Sequence, residues 1–206
     1  MFESPFTAII SGATQTGKSR WIMRFLTHLN DIIEGEGPKH VLYCYSEINP
    51  EILQLKNDGI EIYNGIPSKD EIMSKPKNLL LILDDLASDI KPKFLETLYI
   101  KGSHHWNVSV ILVTQNLFEK NIKVARLNSH YIILMKNPQG LLQIRTLATH
   151  LFPGKLHYFL EAYNDAVEHQ PYGYLLINMK PNTPDELRLS TNIFPGETTF
   201  IYLPIQ

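Results

Sequence analysis

One eight-residue stretch near the start of the chain constrains the fold more than any other feature. Residues 12–19 read GATQTGKS and match the pattern GxxxxGK(S/T), the Walker A motif. Such a match is informative when it lies between a strand and a helix. The apolar run from Phe6 to Ile10 predicts a short buried strand before it. After Ser19, apolar residues recur every three or four positions, which predicts one face of a helix.

The residue types in this loop suit the binding of a nucleotide. Gly12 and Gly17 let the backbone curl so that successive N–H groups point at the β- and γ-phosphate oxygens. Lys18 adds a positive charge, the Ser19 hydroxyl can ligate Mg²⁺, and the positive end of the following helix faces the same phosphates. The predicted nucleotide-binding residues are Gly12, Ala13, Thr14, Gln15, Thr16, Gly17, Lys18 and Ser19. The alternative is a chance match in a glycine-containing turn, which the strand–loop–helix context disfavours.

The rest of the chain alternates short apolar runs with longer amphipathic stretches, the rhythm of βαβ units around a parallel sheet. Further strands are predicted at His40–Tyr45, Ile60–Tyr63, Leu79–Asp84, Val108–Gln115, Tyr131–Met135 and Tyr174–Ile177. Helices are predicted from Ser19 to Ile33, at Lys69–Ser74, at Pro92–Gly102 and at Phe159–Glu168. Strands that are apolar throughout indicate a sheet covered by helices on both faces. We expect one α/β domain over residues 1–206, with 181–206 as an extended arm or an edge strand.

An acidic pair follows one of these strands. Residues 79–85 read LLLILDD, the Walker B pattern of an apolar strand that delivers carboxylates at its carboxyl end. In open α/β sheets that edge carries the ligand crevice. Asp84 is the expected Mg²⁺ partner, and Asp85 is placed to polarise the attacking water. The role of Asp85 depends on its loop turning inward, because Asp is one methylene shorter than the Glu of many motor ATPases. The alternative is a solvated turn at a strand end.

A polar residue also ends the predicted strand that follows the Walker B strand in the chain. Its sequence is VSVILVTQ, so Gln115 is its last residue. Its side chain can hydrogen-bond the γ-phosphate or the lytic water; taken alone, such a residue is most often part of a turn. Residues 40–45 and 60–63 predict an intervening strand between the two Walker strands. Together these features predict the additional-strand class of P-loop NTPases, the RecA-like motors, in place of simple kinases or GTPases.

Composition and charge narrow the function classes. The apolar fraction of 44% and charged fraction of 19% exclude a disordered, collagen-like or coiled-coil chain. The formal net charge of −2 leaves no global basic field for nucleic acid, so any such contact is a local patch. The single cysteine, Cys44, excludes an internal disulfide. The purely apolar runs are far shorter than the ~20 residues of a membrane span, and no targeting segment is visible, so we expect a soluble protein that is not secreted.

Two adjacent histidines, His104 and His105, raise the question of a metal site. Neighbouring side chains at a helix end point in different directions, and no cysteine or acidic residue stands at ligand spacing. We therefore expect a solvated helix end, or a contact to another subunit or to DNA phosphate, in place of a metal centre.

Five segments together carry a resemblance to a known family. The chain resembles the genome-packaging ATPases of polinton (Maverick) elements, adintoviruses and virophages, which are relatives of the poxvirus packaging ATPase within the FtsK–HerA superfamily. The matching segments, spread from Phe6 to Tyr202, are GATQTGKS, LLLILDDL, KGSHHWNVSVILVTQNLF, LNSHYIILMKNP and LSTNIFPGE. The resemblance implies an ATP-hydrolysing motor that packages double-stranded DNA. It further implies a homo-oligomeric ring, capsid proteins as partners, and a place in the virion or at the site of viral assembly, in the host nucleus or cytoplasm.

The resemblance also assigns roles to individual residues. It implies catalytic roles for Lys18, Asp85, Gln115 and Arg126, nucleotide binding by the glycine-rich loop, and a magnesium site at Ser19 and Asp84. In the family an arginine from the next subunit completes each active site. This chain has Gln139–Gly140 where the family commonly has Arg-Asp. Arg126 is therefore the first candidate for that arginine and Arg145 the second.

Two other function classes compete with this interpretation. A small P-loop kinase would have the same Walker A motif, but such kinases usually carry a lid with several arginines, and this chain has five arginines in all. The Asp84–Asp85 pair and Gln115 favour water as the acceptor. The second competitor is a nucleotide-gated assembly protein without motor activity, or an inactive relic. The intact Walker residues argue against decay.

Overall fold

Residues 2–102 and 105–204 are described by a computed structural model, in which a broad β-sheet organises the chain. The strands are β1 Phe2–Glu3, β2 Thr7–Ser11, β3 Ile33–Glu34, β4 His40–Tyr45, β5 Glu61–Asn64, β6 Leu79–Asp84, β7 Val108–Thr114, β8 Tyr131–Met135, β9 Tyr174–Asn178, β10 Leu189–Thr191 and β11 Phe200–Ile201. Over the described ranges, nine of them form one sheet in the order β11-β10-β9-β8-β2-β7-β6-β4-β5. The six strands from β8 to β5 are parallel, and β9, β10 and β11 add an antiparallel edge.

The connections between strands are mostly helical. The helices are α1 Lys18–Thr27, α2 Leu29–Ile32, α3 Pro50–Asn57, α4 Lys69–Met73, α5 Pro92–Glu96, α6 Lys123–Leu127, α7 Leu141–Leu151 and α8 Leu156–Glu168. A π-helical turn at Thr97–Gly102 continues α5, and 3₁₀ turns lie at Lys120–Ile122, Pro138–Gly140 and Asp185–Leu187. Where the structure describes the chain, no helix combines the length and apolarity needed to cross a membrane.

The helices cover both faces of the sheet. Buried residues of α1 and α3 pack with one set of strand residues, and those of α5, α6, α7 and α8 pack with the alternate set. The side chains of Ile9 and Ile10, neighbours on β2, accordingly belong to opposite clusters and are both fully buried. This arrangement explains why β2, β7 and β8 are apolar without alternation. The predicted α/β fold, a mostly parallel sheet flanked by helices, is confirmed.

The strand order corrects one sequence interpretation. We predicted from residues 40–45 and 60–63 that an intervening strand separates the two Walker strands. In the sheet, β7 lies between β2 and β6, while β4 and β5 lie on the outer side of β6. Crossover connections let a strand insert away from its chain neighbours, so chain order does not fix sheet order. The intervening strand is therefore the one that ends just before Gln115.

The first helix is also shorter in the structure than the apolar pattern predicts. The helix was predicted to continue from Ser19 to Ile33, but α1 ends at Thr27 and the backbone leaves the helical region at His28. After the short α2, Ile33 pairs in parallel with Phe2, and both side chains are buried. Pairing with the first residues of the chain overrides the helical period at this position.

Candidate functional site

The residues of both Walker motifs meet in one cleft of about 780 Å³. The sheet register explains why: Ser11 pairs with Thr114, and Asp84 pairs with Val113, so the strands end at the same level. Eight of the predicted site residues line the cleft, namely Thr14, Gln15, Gly17, Lys18, Ser19, Asp84, Asp85 and Gln115. Ala13 and Thr16 line an adjoining depression, which the loop shares with the segment that follows β8.

The loop is anchored to both neighbouring strands. The Gly12 N–H donates to the Thr114 carbonyl at 3.4 Å, and the Ala13 N–H donates to the Lys136 carbonyl at 3.2 Å. The Thr16 hydroxyl closes the turn by donating to the Ala13 carbonyl at 2.7 Å. The backbone that would surround a phosphate is therefore fixed by the sheet.

Two glycines in the loop are required by geometry. A Cβ at Gly12 would lie 2.7 Å from the Met135 Cβ and from the Thr16 Oγ1. Gly17 has φ +102°, a conformation that other residues rarely adopt, and a Cβ there would lie 2.7 Å from the Tyr172 ring. The Walker glycines thus serve close packing here as well as backbone curvature.

Lys18 lies at the centre of the loop. Its Nζ donates to the carbonyls of Gly12 and Ala13, each at 2.8 Å. Burial lowers the pKa of Lys18, and the nearby charges of Asp84 and Asp85 act in the opposite direction. A phosphate oxygen is a stronger partner for an ammonium than a neutral carbonyl, because the hydrogen bond is then assisted by charge on both sides.

The helix after the loop favours an anion at its start. The first turn of α1, all of it within the described residues, has no acidic side chain and no side-chain cap. Its N–H groups therefore keep their capacity to bind an anion, and the helix dipole adds to the attraction.

Asp84 is a partly buried carboxylate with one strong partner. The Tyr43 hydroxyl, on the neighbouring strand β4, donates to its Oδ2 at 2.5 Å. Burial raises the pKa of Asp84, the Tyr43 hydrogen bond lowers it, Asp85 raises it and Lys18 lowers it. A divalent cation beside Asp84 would offset the cost of keeping this carboxylate ionised, so the residue fits a magnesium ligand.

Asp85 stands in an uncommon backbone conformation. Its φ is +55°, in the left-handed region that Asp tolerates better than most residues. The side chain is exposed on the wall of the same cleft as Asp84. The turn after β6 therefore brings the second carboxylate toward the cleft, the condition that its predicted role requires.

Gln115 connects the loop to the end of β7. The Thr14 hydroxyl donates to the Gln115 Oε1 at 3.1 Å, and the Asn137 side-chain amide donates to the Gln115 carbonyl at 3.4 Å. Asn137 also accepts the Gly140 N–H at 3.0 Å and thereby shapes the next loop. The Gln115 side chain therefore contacts the phosphate loop, and its main-chain carbonyl contacts the loop after β8.

The two arginine candidates lie outside the cleft. Arg126 donates to the Leu117 carbonyl at 2.9 Å and packs on the Phe118 ring, with Cζ 4.1 Å from the centroid. Arg145 is exposed on α7. Neither lines the cleft of its own chain, so action in a neighbouring copy stays a prediction for both. Of the histidine pair, His104 lies outside the described residues and His105 is exposed.

Sequence reasoning missed several residues of the cleft wall. Among them are Glu47, Asn49 and Glu51, which follow β4, and Tyr172, which precedes β9. The first group had a signal, because the segment after any parallel strand of this sheet lies at the ligand edge. Tyr172 had none, since nothing local predicts that the turn before an antiparallel strand folds over Gly17.

Solved structures share this architecture at low sequence identity. No protein-family model matches the chain, and no curated protein is detectably similar to it in sequence. It is similar to the genome packaging NTPase B204 from Sulfolobus turreted icosahedral virus 2, in complex with ATP-gammaS, with a TM-score of 0.55, 14% identity and 98% of each chain covered. It is also similar to the cytoplasmic domain of EssC, with a TM-score of 0.50, 14% identity, and 98% of this chain against 40% of that one covered. Together with the two motifs at one sheet edge, this likeness shows the fold of the P-loop NTPases.

Proposed function

We propose that this chain hydrolyses ATP in the cleft and uses the energy to package double-stranded DNA into a viral capsid. The observation that carries the proposal is the meeting of Lys18, Asp84, Asp85 and Gln115 in one cleft, although up to about a hundred residues separate them in the chain. A phosphate-binding loop alone fits many functions. A partly buried and an exposed carboxylate opposite that loop fit the hydrolysis of a phosphoanhydride.

Each side chain has a definite task in this mechanism. The loop N–H groups and Lys18 hold the β- and γ-phosphates. Ser19 and Asp84 would hold Mg²⁺, which supplies positive charge to the phosphate oxygens when bound. Asp85 orients the attacking water and accepts its proton. Gln115 hydrogen-bonds the γ-phosphate or that water and, through Thr14, links its presence to the loop.

The packaging role is supported from two directions. The motif segments resemble the packaging ATPases of polinton elements, adintoviruses and virophages, and the fold is similar to that of a viral genome packaging NTPase. The net charge of −2 suits a motor that must release DNA at each step, since extensive phosphate neutralisation makes binding tight. On this proposal the partners are double-stranded DNA, further copies of the chain in a ring, and capsid proteins, in the virion or at the assembly site.

Two variants separate nucleotide binding from turnover. Lys18→Ala should abolish binding of a fluorescent ATP analogue, because the loop loses its only side-chain cation. Asp85→Asn should bind the analogue as the wild type does but hydrolyse ATP about 10²- to 10⁴-fold more slowly, the usual contribution of a general base. Lys77→Ala is the matched control, since Lys77 is exposed just before the amino end of β6, at the opposite edge of the sheet.

The competing functions give different results in the same assay. Phosphate transfer from ATP to a nucleoside or metabolite, with little release of inorganic phosphate, would identify a kinase. Binding without turnover in the wild type would identify a nucleotide-gated assembly protein. ATP affinity and turnover unchanged in Lys18→Ala would refute the proposed site.

A further inference from the structure

The charges of the chain are unevenly distributed along its sequence. Residues 97–160 hold seven lysines and arginines but a single acidic residue, Glu119, which gives this segment a formal charge of +6. The remaining residues carry −8, because the whole chain carries −2. The near-neutral total is therefore the sum of a strongly basic segment and an acidic remainder. The seven cations are Lys101, Lys120, Lys123, Arg126, Lys136, Arg145 and Lys155.

The fold brings three of these lysines to the sheet edge that holds the phosphate loop. Lys120 lies in the 3₁₀ turn after β7, Lys123 begins α6, and Lys136 directly follows β8. The strands β7 and β8 lie on either side of β2, and the last residue of β2, Ser11, pairs with a residue near the end of each. All three lysines are exposed. We call Lys120, Lys123 and Lys136 the basic strip.

The basic strip has no anionic partner in the part of the chain that the structure describes. Nine ion pairs occur there, and none includes a lysine or arginine of residues 97–160. Lysines elsewhere do find partners, since Lys75 and Lys180 each contact a glutamate. The charges of the strip are therefore available to an anion from outside the chain.

A depression of about 720 Å³ begins beside Lys136 and separates the phosphate loop from the segments that follow β7 and β8. Its lining, all of it within the described residues, includes no carboxylate. Side-chain amides and lysines are frequent donors to the phosphates of nucleic acid. The amides that line the depression belong to Gln115, Asn116, Asn137, Gln139 and Gln143.

The depression is also adjacent to the nucleotide cleft. Thr14 and Gln115 line both, and the hydrogen bond between their side chains, 3.1 Å long, lies on the boundary. A ligand in the depression would therefore lie beside two of the groups that face the nucleotide.

We propose that the basic strip and this depression bind the phosphate backbone of double-stranded DNA; the assignment rests on the proposed packaging function. The strands β7 and β8 are two strand spacings apart, about 10 Å, which corresponds to about three base pairs along a duplex. Lysine contacts to phosphate carry no sequence information, so the surface would hold any duplex. That property suits a motor that must move along a whole genome.

The salt dependence of DNA binding tests the strip. Lys120, Lys123 and Lys136 are replaced together by glutamine, and binding of a short fluorescent duplex is measured at several salt concentrations with a non-hydrolysable ATP analogue present. Each lysine that neutralises a phosphate contributes about −0.9 to the slope of log K against log salt concentration. We expect the slope of the triple variant to be less steep by about 2.7, equally for duplexes of different sequence.

A matched triple variant controls for the change in net charge. Replacement of Lys56, Lys69 and Lys77 by glutamine removes the same three charges at exposed positions outside the strip. Its slope should equal that of the wild type. Thermal unfolding of both triple variants checks that each is folded. An equal change of slope in the two variants would show a general charge effect and overturn the assignment.

A single substitution tests the depression separately from the strip. Gln143→Glu keeps the shape of the side chain and places a negative charge on a wall that has none. Duplex binding should become weaker than in Gln143→Ala, because the carboxylate repels phosphate in addition to losing the amide donor. Equal affinities of the two variants would exclude the depression from the DNA contact.

The outcomes separate this inference from the function on which it rests. Duplex binding that the wild type shows and the strip variant keeps, with its slope unchanged, would overturn the surface alone. A strip variant that loses self-association in sedimentation but binds DNA as before would overturn it as well, and would identify a contact between copies of the chain. No binding of duplex by the wild type, with or without the ATP analogue, would overturn the packaging function and the surface with it.

Discussion

At the scale of single residues, Tyr43 is the contact that most directly prepares the candidate site. Its hydroxyl reaches Asp84 from a neighbouring strand and hydrogen-bonds the carboxylate at 2.5 Å. Burial favours the protonated acid at Asp84, and this bond favours the charged form, the form that binds a cation. On the proposed function, Tyr43 is a positioning residue for the metal ligand Asp84.

Removal of this hydroxyl should weaken metal binding in a pH-dependent way. In Tyr43→Phe the pKa of Asp84 rises further above its usual range, so the carboxylate is protonated at higher pH. We expect Mn²⁺ affinity, measured in the presence of a nucleotide, to fall about tenfold, the effect of one hydrogen bond to a charged group. The loss on acidification should also begin at higher pH than in the wild type.

The control for this variant is Tyr63→Phe. Tyr63 lies on the edge strand β5, and its hydroxyl donates to the Glu71 Oε1 at 2.8 Å, away from the cleft. Metal affinity that falls equally in both variants, or a pH profile that does not move in Tyr43→Phe, would contradict the role of Tyr43.

The charge of Asp84 should lower the stability of the folded chain when no nucleotide or metal is bound. Its pKa is raised in the folded state, so the ionised acid disfavours folding above the usual pKa of 3.8. Asp84→Asn removes that charge. We expect its Tm without nucleotide or metal at pH 7 to rise by roughly 2–4 °C, the shift that about 1 kcal/mol produces in a domain of this size. The gain should shrink as the pH falls from the raised pKa of Asp84 toward 3.8 and be lost below 3.8, as calorimetry between pH 3.5 and 7 can measure; a Tm below that of the wild type at pH 7 would contradict this.

The sequence predicts the residues of the motifs, but not the residues that contact them from distant parts of the chain. Lys18, Asp84 and Gln115 follow from the loop spacing and from polar groups at strand ends. Tyr43 and Tyr172 could not be found, because each acts through a residue more than forty positions away. Contacts of that kind depend on sheet order and on loop packing, which no local pattern contains.

At the scale of elements, the turn from β2 into α1 depends on Tyr172 as well as on its own sequence. Gly17 needs its positive φ, and its Cα faces the Tyr172 ring without room for a methyl group. The phosphate loop and the turn before β9 are therefore packed as one unit.

A glycine comparison measures this packing. Gly17→Ala should lower the free energy of unfolding by about 2–3 kcal/mol, since it combines a strained φ with a clash. Gly59→Ala, with φ +87° but open space around it, should cost only about 1 kcal/mol. Urea denaturation of both variants checks this, and equal losses would argue against the contact with Tyr172.

Element prediction succeeded where a pattern was local. The apolar strands were found because they are buried on both faces. Helix α3 was missed although Asn49 caps it, accepting the Ile52 N–H at 2.9 Å, and Pro50 occupies its first turn, both of which are readable start signals. The early end of α1 was not readable, because it depends on the pairing of Ile33 with Phe2.

At the scale of the whole molecule, the proposed function predicts that copies of the chain work together. Arg126 and Arg145 lie outside their own cleft, so neither can complete it from within the same chain. If one of them acts in a neighbour, an active site is shared between two subunits.

Mixing of two inactive variants tests this sharing. Arg126→Ala should lower turnover at unchanged ATP affinity, and Lys18→Ala should abolish binding. A mixture of the two should regain part of the activity, because some interfaces then combine an intact loop with an intact arginine. Equal turnover of Arg126→Ala and wild type would exclude this arginine, and the same experiment then moves to Arg145→Ala. A mixture no more active than its parts would contradict a shared site.

The most direct test of the central claim is the rate of ATP hydrolysis by the purified chain with and without linear double-stranded DNA. The account predicts that DNA raises the rate, that Lys18→Ala abolishes hydrolysis in both conditions, and that Lys77→Ala behaves as the wild type. Hydrolysis that DNA leaves unchanged would contradict a DNA-packaging motor. Absence of hydrolysis in the wild type, or equal rates in Lys18→Ala, would contradict the assignment of the cleft itself.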